Sequence, residues 1–365
     1  MKAWRVYGVG DMRLDEIPRP TVKPGWALVK TRMVQPSITE CQALQGLSHY
    51  DLEKLLEKGP LQMFGHEFCA EVIEVGEGVR NLKVGDRVFR IRTQAACHEC
   101  ALCRAGYEER CRKGPSVGFT IPGLLAEYAS LPADNLMSVP DSITDSEAAA
   151  MQPLASSVDF IVPAKIEPGD TVVVLGQGTM GLGIMQVSRA YGAGKTIVTD
   201  LRDETLAVSR RLGAEVAINA TENDPVDAIM EATGGLGADI VFECAGGDPQ
   251  SGLSGTNTLA QAFKVVRESG KVVQVGILSP RVTIDPRPIF QRGVQYLGHG
   301  YVTTKDLNYV IQLVVSGRVQ LASLVTHILE GLDQVPKAFE ITANKARYKN
   351  LLAAQVVVSR PSTMK

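Results

Sequence analysis

Thr171-Val-Val-Val-Leu175 runs directly into Gly176-Gln177-Gly178-Thr179-Met180-Gly181, and a stretch of helical periodicity, Leu182–Tyr191, follows. A buried strand, a glycine-rich turn and a helix in that order give a G-x-G-x-x-G pattern its mechanism. Gly176 permits the tight turn, Gly178 lets backbone approach a pyrophosphate, and Gly181 lets helix and strand pack closely. With Thr179 and Met180 completing the turn, the helix N-terminus offers N–H groups and a positive dipole end to phosphates. The next strand, Lys195–Thr199, leads to Asp200. A carboxylate there accepts hydrogen bonds from adenosine ribose hydroxyls and repels a 2′-phosphate, so the sequence predicts NAD as cofactor. Arg202 pulls the other way, because a guanidinium nearby can pair with that phosphate.

The pattern continues on both sides of this stretch. Apolar runs at Glu215–Ile218, Asp239–Phe242 and Lys271–Val275 alternate with segments of helical length such as Glu204–Leu212. Such alternation builds a parallel sheet with helices on both faces. Before Glu167-Pro-Gly-Asp170 the texture differs: short apolar runs at Ala27–Lys30, Ala70–Val75 and Asp86–Phe89 are punctuated by glycine and proline. That texture predicts a compact β-rich unit. After about Leu297 it becomes mixed again and closes on an apolar strand, Leu351–Val358.

Four of the seven cysteines, Cys97, Cys100, Cys103 and Cys111, crowd into the loop 97–111. Thiolates at that spacing converge on one tetrahedral ion, and a closed four-sulfur shell leaves no position for substrate. The loop therefore reads as a structural zinc knot, one ion per chain. Two disulfides are the alternative, disfavoured because Cys41, Cys69 and Cys244 are scattered singly and nothing else suggests secretion.

At 365 residues the chain is long enough for two cores, and a net charge of -2 gives no reason to expect nucleic acid or an anionic membrane as partner. The opening residues lack a signal-peptide core and no apolar run reaches the roughly 20 residues that span a bilayer. With reduced cysteines, this leads to an expectation of a cytoplasmic protein.

The cysteine loop, Gly65-His66-Glu67 and the nucleotide fold occur in the order found in the zinc-containing medium-chain dehydrogenases, which this chain resembles over nearly its full length. Val75–Val88, Leu125–Ala129 and Pro168–Gly176 carry further likeness, and Met151-Gln152-Pro-Leu154 resembles the Glu-Pro-Leu segment of the polyol and threonine dehydrogenase branch. The resemblance implies an α/β fold in which a Rossmann-type coenzyme domain (158–298) is inserted into a β-rich GroES-like catalytic domain (1–157 and 299–365). It also implies a substrate cleft between them, a homodimer or homotetramer, and a second, catalytic zinc.

Of that second site, His66 and Glu67 match the family pattern. Ser37 stands where a cysteine ligand is usual, and Gln152 at the third ligand position. Thr39 matches the proton-relay hydroxyl, while Gln42 replaces the relay histidine. Glu40 takes the place of a supporting aspartate, with Arg347 or Lys349 as expected partner. Serine and amide bring no negative charge, so a zinc on His66 and Glu67 is expected to be weakly held; Cys41 is a possible substitute thiolate, though better read as a small core residue.

The reading that follows is an NAD-dependent oxidoreductase interconverting a secondary alcohol or polyol and a ketone, with His66, Glu67, Thr39 and Ser37 as catalytic candidates. Two alternatives stand beside it. One is an NAD(P)H-dependent carbonyl or enone reductase without a catalytic metal. The other is a nucleotide-binding sensor or scaffold without turnover.

Overall fold

A computed structural model describes residues 1–47, 51–57, 59–92, 94–246, 256–278, 282–300, 303–344, 347–348 and 352–360. The chain divides into two compact units, Met1–Gln152 with Leu321–Lys365, and Pro153–Gln320. In the first unit β1 (Lys2–Gly8) and β2 (Asp11–Glu16) form an antiparallel pair. The long strand β3 (Trp26–Gln35) pairs antiparallel with β4 (Glu67–Val75) and with β6 (Tyr128–Pro132). β5 (Arg87–Arg90) joins β4, and β7 (Leu136–Ser138) joins β5.

The second unit is a six-stranded parallel sheet in the order β10-β9-β8-β11-β12-β13. Its strands are β8 (Thr171–Leu175), β9 (Lys195–Asp200), β10 (Val216–Asn219), β11 (Ala238–Glu243), β12 (Val266–Gln274) and β13 (Gln295–Leu297). Val172 to Leu175 are all fully buried, as a strand covered on both faces by helices requires. The chain then returns to the first unit through β14 (His327–Glu330) and β15 (Ala354–Val357), the latter antiparallel to β3.

The return comes later than the expected limit at 298. After β13 the helix Thr304–Val315 still belongs to the parallel sheet's unit: Tyr309 meets Tyr191 edge-on at 5.4 Å, and the Gln320 amide donates to Gln186 Oε1 at 2.8 Å. The other edge moves as well, because the helix Met151–Ala164 straddles the boundary at Gln152. β13 and the helices Pro225–Ala232 and Asn257–Val265 are additions to the sequence reading.

Candidate functional site

The glycine turn connects β8 to the helix Thr179–Ala190. Gly176 has φ +92°, and a Cβ there would sit 2.8 Å from the Ala245 backbone on neighbouring β11's exit. A Cβ on Gly181 would lie 1.9 Å from the Gly176 carbonyl oxygen, so only glycine lets helix and turn approach this closely. Gly178 is the helix N-cap and brings no side-chain cap to the amides of the first turn, which begins at Thr179 and Met180. Those amides are the donors that phosphate oxygens take.

Asp200 ends β9 beside this turn. Its Oδ2 accepts from the Gln177 amide (2.8 Å) and its Oδ1 from the Arg202 amide (3.0 Å), with the Arg202 Nε 3.6 Å away. The acidic residue and the turn are thus one hydrogen-bonded piece. Buried Gln177 reinforces it: Nε2 donates to the Gly176 oxygen (3.1 Å) and Oε1 accepts from Ser209 Oγ (2.9 Å).

Glu243, at the carboxyl end of β11, plays a role the sequence reading missed. Wholly buried, its Oε1 accepts from the amides of Ala245 (3.0 Å) and Gly246 (2.9 Å) and from Thr258 Oγ1 (2.7 Å). Oε2 accepts from Gln274 Nε2 at 2.6 Å. This carboxylate sets the backbone that faces Gly176 across the switch point of the sheet. The signal in the sequence was an acidic residue ending an apolar strand just before Ala245-Gly246.

In the first unit the four cysteine sulfurs lie within 4.8 Å of one another, the one such cluster of three or more His, Cys, Asp or Glu ligand atoms among the described residues. Sγ of Cys103 is 3.9 Å from that of Cys97 and 3.5 Å from that of Cys100. A tetrahedron with Zn–S bonds of 2.3 Å has edges of about 3.8 Å, so the sulfurs already stand at zinc-binding separation. None is in a disulfide. Amides of Cys97, Cys100 and Cys103 point at the sulfurs of Cys111, Cys97 and Cys100 (3.3, 3.3 and 3.5 Å). The Glu99 amide first and the Cys100 amide next pull Cys97 down to about 6, whereas burial first and neighbouring thiols next push Cys103 up to about 12. A divalent cation bound there would hold all four as thiolates.

The second constellation is built on a backbone turn. Phe64 and Gly65 both have positive φ (65° and 74°), and a Cβ on Gly65 would sit 2.4 Å from the Leu125 nitrogen. This turn delivers His66 and Glu67 to the start of β4, both buried. Opposite them, the helix Ile38–Leu44 begins with a capping box. Glu40 N donates to Ser37 Oγ and Ser37 N to Glu40 Oε2, both at 3.1 Å. Thr39 lies half-buried in the same first turn.

Glu40 does not turn to Arg347; Lys349, its other expected partner, lies outside the described residues. Its Oε1 instead accepts from the His66 amide (3.1 Å) and stands 2.5 Å from His66 Nδ1, out of line with the ring N–H. Burial opposes ionisation of Glu40, but the His66 ring and the Ser37 and His66 amides outweigh it and hold the carboxyl below its usual range. His66 Nε2 is 3.9 Å from Glu67 Oε1. Glu67 Oε2 accepts from Gln35 Nε2 (2.5 Å), and Gln355 Nε2 donates to Gln35 Oε1 (2.9 Å) and to the Ser146 oxygen (2.9 Å). Burial pushes Glu67 up to about 7, the charge of His66 working against it.

These donors do not complete a zinc site. A catalytic zinc takes three protein ligands, and among the described residues no third His, Cys, Asp or Glu donor clusters with those of His66 and Glu67. Ser37 Oγ is engaged as a helix cap. Cys41 is buried with its thiol toward the Phe339 oxygen (3.7 Å), a core residue rather than a substitute ligand. Gln152 is buried near the start of the helix Met151–Ala164.

A four-cysteine loop, a Gly-His-Glu turn and an inserted parallel nucleotide fold define a class of pyridine-nucleotide oxidoreductases. Residues 23–141 match the alcohol dehydrogenase GroES-like domain, and residues 179–316 the zinc-binding dehydrogenase domain. The chain is 31% identical to L-threonine 3-dehydrogenase of Pyrococcus horikoshii, over 93% of this chain and 94% of that one. It is 30% identical to sorbitol dehydrogenase of Halalkalibacterium halodurans, over 88% and 90%. Among solved structures, a chain classed as a zinc-binding dehydrogenase from Sinorhizobium meliloti 1021, bound to NADP, superimposes with a TM-score of 0.84 at 26% identity, over 98% of each chain. The protein belongs to the zinc-dependent medium-chain dehydrogenase/reductase family and is an oxidoreductase of the alcohol dehydrogenase type. The scaffold and metal-free reductase readings are not favoured by these relatives. Among the described residues, no helix is long and apolar enough to cross a membrane.

Proposed function

We propose that the protein oxidises a secondary alcohol of the polyol or 3-hydroxy amino acid class with NAD, and reduces the matching ketone in reverse. The observation that carries the chemistry is the buried Glu40–His66 pair. An ionised Glu40 can only accept, so it favours the tautomer with the proton on Nδ1 and leaves the lone pair of Nε2 for a substrate hydroxyl. His66 Nε2 would take the proton that the alcohol gives up on oxidation. Glu67, buried and pushed up to about 7, poises a second proton-accepting group beside that nitrogen. Thr39 offers a hydroxyl from the helix whose cap places Glu40. The nicotinamide supplies the hydride acceptor when bound.

NAD rather than NADP follows from Asp200, whose carboxylate is fixed by the Gln177 and Arg202 amides. The knot accounts for one zinc per chain. A homo-oligomer is supported by exposed apolar side chains beside the edge strand β13: Phe290 is 90% exposed and Tyr296 36%. Four zinc-ligating thiols suit the reducing cytoplasm.

The test is coenzyme reduction followed at 340 nm with a panel of secondary alcohols, including sorbitol and threonine, alongside Asp200→Ala and His66→Ala variants. NAD turnover with at least one of them, loss of discrimination against NADP in Asp200→Ala and loss of rate in His66→Ala support the reading. A wild-type preference for NADP of tenfold, about 1.4 kcal/mol, overturns the coenzyme choice.

A further inference from the structure

Glu67 ends a row of side chains that crosses three strands of the first unit. Gln35 stands directly opposite Glu67 where β3 pairs with β4, and the Val356–Val34 register of β15 and β3 places Gln355 next to Gln35. Gln35 and Gln355 are only 2% and 0% exposed, so water does not stand in for a bond that either loses. Beyond Gln355 lies Ser146, in the helix Asp145–Ala149. Asp145 ties down the start of that helix: one carboxylate oxygen accepts from Arg87 (3.0 Å) and the other from Arg32 (2.8 Å).

The bonds along this row run in one direction. The Ser146 carbonyl oxygen can only accept, so it takes the amide nitrogen of Gln355 (2.9 Å), while Gln355 Oε1 accepts from Ser146 Oγ (2.7 Å). The same nitrogen also donates to Gln35 Oε1 (2.9 Å). With its oxygen taken, Gln35 turns its nitrogen to Glu67 Oε2 (2.5 Å). A flip of Gln35 would set oxygen against the carboxylate and nitrogen against nitrogen, two mismatches in a buried place. Orientation is thus handed from a backbone carbonyl to an acidic side chain. Oε2 of Glu67 is occupied by a donor, and Oε1 is the oxygen 3.9 Å from His66 Nε2.

We infer that Gln355 and Gln35 are positioning residues that hold the Glu67 carboxylate with Oε1 toward His66 and the reacting alcohol. This rests on the catalytic reading of His66 and Glu67 above. β15 then acts on the reaction through β3, without a catalytic group of its own.

Steady-state kinetics of the full chain, on a panel alcohol that gives turnover, tests it, with melting temperatures measured alongside. Gln35→Met and Gln355→Met keep the length of the side chain and remove the amide. Gln35→Met should lower kcat about tenfold at nearly unchanged KM, the worth of one hydrogen bond to a charged group, and Gln355→Met about fivefold. The double variant should be no slower than Gln35→Met, because Gln355 acts only through Gln35. Gln355→Glu keeps the size and the acceptor for Ser146 Oγ but removes the donor; it should be slowed at least as much as Gln355→Met, and carries the test if that variant does not fold. Wild-type kcat in these variants, or losses that multiply in the double variant, overturn the inference alone when Glu67→Ala is slowed. Glu67→Ala at the wild-type rate, or no oxidation of any panel alcohol by wild type, overturns the catalytic reading and the inference with it.

Discussion

The cysteine loop and the His66 turn belong to the same unit of the chain, and they treat their donor atoms in opposite ways. In the loop, four sulfurs stand within 4.8 Å of one another with backbone amides as the donors around them. Around His66, the neighbouring side chains already serve one another or the backbone: Ser37 caps a helix, Glu40 faces the imidazole, and Glu67 accepts from Gln35. The first arrangement carries a large unmet demand for a cation. The second largely satisfies itself. On the reading proposed above, a metal would act as a folding element in the loop and at most as a visitor at the His66 turn.

Breaking the loop should produce the largest effect. Cys100→Ser removes one thiolate and the Cys103 amide's partner, and because zinc affinity is folding free energy, metal and stability fall together. A loss of about 3 kcal/mol corresponds to about 10 °C in melting temperature for a unit of this size. Zinc analysis of the purified variant alongside calorimetry checks this. Unchanged metal content at full stability would remove the contrast with the His66 turn.

His66→Ala should leave that zinc in place, lower the melting temperature because Glu40 stays buried without its partner ring, and lower kcat by about 10²- to 10⁴-fold, the usual worth of a positioned acid–base group. Glu40→Gln should lie between variant and wild type, since the amide still reaches Nδ1 but no longer dictates the tautomer. Steady-state rates at saturating alcohol provide the readout; equal rates for wild type and His66→Ala would move the chemistry away from this residue.

How much of this was legible follows physical lines. The β8 limits at Thr171 and Leu175 are those of the apolar run, because a strand buried on both faces has no polar residue to blur its ends. β13 escaped notice: Gln295-Tyr296-Leu297 is a short edge strand, two of its three residues exposed, with no pattern to mark it. The cysteine spacing indicated its own convergence, since all four ligands fall in one loop. The partner of Glu40 did not, because it depends on a Gly65 turn that brings His66 to the helix from twenty-odd residues away. Glu243 was passed over for the same reason; its partners Thr258 and Gln274 come from two later elements. Local spacing reveals ligands, and long-range pairing decides what else a carboxylate does.

Glu67 offers a way to sharpen the comparison by pH. Burial raises its folded-state value to about 7 from an ordinary value near 4.5, so the unfolded chain ionises first. This group's contribution is present in full below about pH 4.5 and is lost as pH rises to about 7, an effect of about 3 kcal/mol. Glu67→Gln should flatten that part of the stability profile in urea titrations. A zinc held tightly on Glu67 would keep it ionised and abolish the slope in wild type, so the slope itself reports whether the two regions differ.

The smallest expected effect concerns Ser37, and it separates a cap from a ligand. Its Oγ accepts from the Glu40 amide and its own amide donates to Glu40 Oε2, so the side chain stabilises the first helical turn. Ser37→Ala should cost about 1 kcal/mol, the usual worth of an N-cap, and about 3 °C in melting temperature. Activity should fall only as far as the turn loosens around Glu40. Ser37→Cys keeps a weak acceptor at the cap and adds a thiolate beside His66 and Glu67, which supplies the third ligand that a catalytic zinc requires. Zinc per chain should then rise from about one toward two. A rate gain is not expected, since an added thiolate lowers the electrophilicity of the metal. If wild type already holds two zinc ions through chelator dialysis and Ser37→Ala loses one of them, Ser37 is a ligand, and the two regions differ only in the softness of their donors.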